Sequence, residues 1–109
     1  MTNSEHALLN FVDYGSMANL RGLYKNLNKF KIAAEMGNTT AQCVVIDLMD
    51  ALVQLDFNQR VYLQMLLVEG YTLWEVAVKY NKSSSGISWS VTQALCSISK
   101  YLIGDDENE

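Results

Sequence analysis

Apolar positions recur at helical spacing along most of this chain. From Met17 to Met36 they fall at Leu20, Leu23, Tyr24, Leu27, Phe30 and Ala34, one side of a single helix. Arg21, Lys25 and Lys29 come at i, i+4 and i+8 on the opposite side, with Lys31 flanking. Gly37 ends this pattern and Asn38 to Thr40 open another. Ala41 to Leu55 carries Val44, Val45, Leu48, Leu52 and Leu55 on one face, and Cys43, Ile46, Met49 and Val53 extend that face around the helix. Gln42, Asp47, Asp50 and Gln54 leave only a narrow polar strip, so this helix is expected at the centre of a bundle or in an interface.

The second half is more sharply punctuated. Asp56 and Gln59 form a D-x-x-Q start signal for a helix from Phe57 to Glu69, with Val61, Met65 and Val68 on its apolar side. Gly70 sits where a helix ends in a residue of positive φ. Thr72 and Glu75 then make an S/T-x-x-E capping box, opening a short helix that carries Val76 and Ala77 and stops near Asn81. Lys82 to Ser85 is a polar turn rich in N-cap residues. A last helix, Ser85 to Leu102, places Ile87, Val91, Ala94, Leu95 and Ile98 on one side. A short helix, a tight turn and a longer helix make a helix-turn-helix pattern. At the other end, Thr2 to Asp13 reads as a short frayed helix, broken by Gly15, with Ser16 placed to cap the helix that begins at Met17.

Val68, Glu69, Gly70, Tyr71, Thr72, Glu75, Val76 and Ala77, together with Ser83, Ser85, Ile87, Val91, Ala94 and Leu95, resemble region four of the housekeeping-type sigma factors and the related helix-turn-helix of phage-borne sigma-like regulators. The resemblance covers about residues 56–102. It implies a DNA-binding transcription regulator of a phage or other mobile element, with the last helix in the major groove. On that reading Ser84, Ser88, Trp89, Thr92 and Gln93 face bases or backbone, while Thr72 and Lys82 touch phosphates. The family carries several basic residues in this helix, at positions that are Ser84, Ser88, Ser90 and Gln93 here. Phosphate neutralisation supplies most non-specific affinity for DNA. The stripe Arg21, Lys25 and Lys29 is either a solvated face, the commoner reading, or the further candidate for phosphate or an acidic partner.

Composition narrows the remaining choices. In 109 residues without proline, half of them hydrophobic, an all-helical single domain is the default. The architecture expected is all-α: an N-terminal helix pair over residues 1–55, a three-helix helix-turn-helix unit over 56–102, and an acidic, solvated tail over 103–109. Asp105, Asp106, Glu107 and Glu109 hold four of the twelve acidic side chains, and without them eight acidic residues balance eight basic ones. The tail either solubilises the chain or competes with nucleic acid for a basic face. No apolar run is long enough for a bilayer, and MTNSEHALLN lacks the basic and apolar regions of a secretion signal, so a soluble, cytoplasmic protein is expected. Cys43 and Cys96 lack metal-ligand spacing and read as buried reduced thiols; His6 is the lone histidine. With no phosphate loop and no catalytic set, neither enzyme activity, a metal nor a cofactor is expected.

Two tryptophans fall off the core side, where each either packs against the N-terminal helices or meets a partner, the latter favoured for Trp89. Trp74 falls on the exposed part of the first motif helix, and Trp89, two positions after Ile87, lies about 200° from the core side. Together with Ile46, Met49 and Val53 they are candidate partner contacts, for a second copy of the chain or for a protein such as RNA polymerase or another regulator. The second functional reading is therefore an interaction module with weakened DNA binding, of polymerase-binding or antirepressor type.

Overall fold

The computed structural model describes residues 13–104. Six helices succeed one another and no strand occurs among the described residues. They are α1 (Met17–Lys25), α2 (Leu27–Glu35), α3 (Thr39–Val53), α4 (Phe57–Leu63, continued by a π turn Gln64–Val68), α5 (Leu73–Tyr80) and α6 (Ser84–Ile103). The class is all-α, as the periodicity requires. The short helix expected over Thr2 to Asp13 lies, all but Asp13, outside the described residues, as do the acidic residues 105–109.

Local chemistry sets the boundaries. Ser16 Oγ accepts the Asn19 N–H at the start of α1, Asn38 Oδ1 that of Ala41 at α3, and Asp56 Oδ1 that of Gln59 at α4. Gly37 has φ +96, and around it the Asn38 N–H reaches the Ala33 carbonyl while the Gly37 N–H reaches Ala34. This double closure satisfies carbonyls that would otherwise be orphaned at the end of α2.

Two expectations need correction. The single helix expected over Met17 to Met36 is two, broken at Asn26, whose backbone leaves the helical region at φ −104, ψ 14. Its side-chain amide donates to the Gly22 carbonyl at 2.8 Å, and its N–H is shared between Gly22 and Leu23. Asparagine offers the backbone a local alternative to the helical ladder, and here that alternative wins. The Phe57–Glu69 helix also changes character, because the Glu69 N–H bonds to the Gln64 carbonyl five residues back. The widened turn keeps Leu67 in the core with Met65, Leu66 and Val68 at its border.

α6 is the element around which the others pack: α1, α3, α4 and α5 all lie against it. Its inward residues Ile87, Val91, Ala94, Leu95 and Ile98 are buried. They join Leu20, Tyr24 and Leu27 from α1 and α2, Val44, Leu48 and Leu52 from α3, Leu63 from α4 and Val76 from α5 in one continuous core. Tyr24 is fully buried at the centre, and its hydroxyl donates to the Leu48 carbonyl at 2.9 Å. Burial raises its pKa well above the ordinary tyrosine value.

Candidate nucleic-acid interface

The α5–α6 segment is built by three caps. Thr72 Oγ1 accepts the Glu75 N–H at 3.1 Å, and Glu75 Oε1 accepts the Thr72 N–H at 2.8 Å, so the capping box is closed in both directions. α5 ends at Asn81, the one non-glycine residue with positive φ among those described, at φ 56. The Lys82 N–H then reaches back to the Ala77 carbonyl. Ser83 Oγ accepts the Gly86 N–H at 3.0 Å and starts α6. A connection of three residues thus holds the N-terminal end of α6 against α5.

The outer side of α6 carries two ridges, each stepping along the helix by one turn. The first is Ser84, Ser88 and Thr92; the second is Ser85, Trp89 and Gln93. Ser84, Ser88 and Trp89 are exposed, with the indole 66% accessible, and Thr92 and Gln93 are half-buried. Each ridge borders its own cleft.

The first cleft, about 230 Å³, is lined by Ser88 and Val91 of α6, Arg21 and Lys25 of α1, and Leu66, Leu67 and Leu73. The Arg21 guanidinium lies 3.5 Å from Thr92 Oγ1, at the long limit for a hydrogen bond. Arg21 and Lys25 of α1 are therefore the cations that border this part of α6. The second cleft, about 390 Å³, lies across the Trp89 ridge. Lys82, Ser83, Ser90 and Gln93 meet Asp56, Asn58 and Gln59 from the first turn of α4 there. Polar residues of α6 are thus bordered by Arg21 and Lys25 on one side and by Lys82 on the other.

Other candidate residues are placed differently. Lys29 is exposed on α2, past the Asn26 break, and lines neither cleft. Thr72 is exposed, but its hydroxyl oxygen and its N–H are both engaged in the capping box. Trp74 stands out from α5, 69% accessible. Ile46, Met49 and Val53 form a separate exposed strip on α3, remote in sequence from the α6 ridges. Asn58 and Gln59 are the residues that sequence reasoning passed over. Their only signal was a place just after the Asp56 cap, which brings them to α6 once α4 packs on it.

Cys43 and Cys96, expected to be buried, are both exposed and unpaired. Each falls on the outward side of its helix, between core positions such as Val44 on α3 and Leu95 on α6. Among the described residues no group of three or more His, Cys, Asp or Glu side chains is gathered as for a metal, and no helix is long and apolar enough to cross a membrane. Comparison with protein-family models, curated proteins and solved structures finds no match.

Proposed function

We propose that the chain is a small sigma-like transcription regulator that holds duplex DNA with a helix-turn-helix formed by α5 and α6. One observation carries this reading: Arg21 and Lys25 stand beside Ser88 and Thr92, on the edge of the helix proposed to read the groove. Arg21 and Lys25 contact phosphates on one flank and Lys82 on the other, which fixes α6 in register. Ser88, Trp89, Thr92 and Gln93 then meet base edges, where the serine and threonine hydroxyls and the glutamine amide hydrogen-bond and the indole makes apolar contact. Lys29 and Thr72 are secondary in this arrangement.

The test is selection of bound sequences from a random duplex pool. The wild type enriches a motif, and Ser88→Ala with Gln93→Ala enriches a different or weaker one. A pool that stays random with the wild type at low salt would refute the proposal. The second reading, an interaction module for RNA polymerase or another regulator, is favoured by the exposed Trp74 and by Val78 one turn along α5, 59% accessible.

A further inference from the structure

None of the exposed apolar residues of α3 lines either cleft of α6. Ile46 is 66% accessible, Val53 65% and Phe57, at the start of α4, 69%. Met49 and Val53 also form one wall of a groove of about 650 Å³, whose other side is made by Val61 and Met65 of α4 and Tyr80 of α5. Exposed apolar side chains over about two turns of one helix, continuous with an apolar groove, mark a surface that a partner covers.

The charges beside this surface differ from edge to edge. At about 100° per residue, Asp50 lies roughly 50° to one side of the Ile46–Val53 line and Met49 roughly 50° to the other. The Asp50 side faces α6, where the Tyr101 hydroxyl donates to the Asp50 carboxylate at 2.7 Å. The Met49 side faces the groove, whose charged members are Arg60, Lys79 and Glu69. One edge is acidic and the other carries two cations against one carboxylate. A purely acidic or purely basic partner matches one edge and opposes the other. A second copy of the chain matches both.

Symmetry then selects the orientation. A two-fold axis perpendicular to a pair of antiparallel helices brings like edges together, acidic on acidic. A two-fold axis running along the pair brings each edge against the opposite edge of its mate. We propose that the Ile46–Val53 face of α3 pairs with the same face of a second copy in parallel, with each Asp50 meeting the Arg60 and Lys79 edge of the other. The interface is isologous, as closed dimers require. It stands independently of the DNA reading, because it uses none of the residues of the α6 clefts.

Sedimentation velocity on the full chain at tens of micromolar tests it, with far-UV circular dichroism to confirm that each variant is folded. The wild type sediments as a species of twice 12.3 kDa. Ile46→Glu with Val53→Glu, at exposed positions that leave the core intact, gives a folded monomer. Asp50→Lys and Arg60→Glu each weaken the dimer roughly tenfold or more, and the double reversal D50K/R60E recovers most of that loss. The rescue separates the interface from the Tyr101 contact, since losing that contact cannot be repaired by changing Arg60. A monomeric wild type, a dimer indifferent to the glutamates, or a double reversal no better than the single ones overturns the proposal.

Discussion

Gly70 separates α4 from α5 at φ +85, and a Cβ built there would meet nothing within 4 Å. Replacement by alanine therefore creates no clash; its cost in the fold is the strain of an L-residue in the left-handed region, set against the reduced freedom of the unfolded chain that any glycine-to-alanine change brings. That strain costs about 1–2 kcal/mol. Valine costs more, because its branched Cβ is a poorer fit to positive φ. Gly22 supplies the contrast. It lies inside α1 and is equally free of contacts, but its backbone is helical. Gly22→Ala should gain about 0.5–1 kcal/mol, from reduced freedom of the unfolded chain. Two glycine-to-alanine changes with equal space around them thus differ by about 1–2 kcal/mol, the strain alone, because the unfolded-chain gain is common to both. Urea denaturation monitored by circular dichroism measures both, and thermal melting should separate them by roughly 10 °C for a chain of this size. If Gly70→Ala stabilises as much as Gly22→Ala does, the α4–α5 junction does not have the backbone described.

Thr72→Ala should destabilise by about 0.5–2 kcal/mol by opening the capping box, whereas Glu75→Gln should keep most of the wild-type stability because its amide oxygen still accepts the Thr72 N–H; chemical denaturation checks both. Tyr24→Phe should cost about 0.5–1.5 kcal/mol through loss of its bond to the Leu48 carbonyl, read by the same method. Alkaline titration should unfold the protein. Tyr14 and Tyr24 have pKa values raised in the fold, Tyr14 by burial first and then by its hydrogen bond to Asp47, and Tyr24 by burial. Their stabilisation is complete below the ordinary tyrosine pKa of about 10 and is lost as pH rises above it. Tyr14→Phe should flatten that dependence, and a curve of unchanged steepness would show that Tyr14 ionises freely.

What was legible in the sequence was local. Gly70, the Thr72–Glu75 box and the α6 core residues Ile87, Val91, Ala94, Leu95 and Ile98 each announce themselves within a few positions, because caps and helical periodicity act over a single turn. The break at Asn26 was masked by a periodicity that runs on through it; only the side-chain bond to Gly22 reveals it. The pairing of Arg21 with Thr92 spans 71 positions and depends on how α1 packs on α6. No pattern within α1 states which helix its charged side will meet. The exposed thiols of Cys43 and Cys96 mislead for a related reason, since cysteine is usually a core residue and its place here is set by helix orientation.

In the proposed function, DNA binding depends on α1 supplying charge to the α6 surface. The decisive measurement is a titration of duplex DNA at several salt concentrations, comparing the wild type with R21Q/K25Q and with Lys29→Gln. Each phosphate contact contributes a slope of about −0.9 to the dependence of log affinity on log salt. The double variant should bind more weakly with a slope shallower by about 1.8, whereas Lys29→Gln, outside the clefts, should leave the slope nearly unchanged. Absence of wild-type binding at low salt, or an R21Q/K25Q slope equal to that of the wild type, would show that α1 does not hold the phosphates.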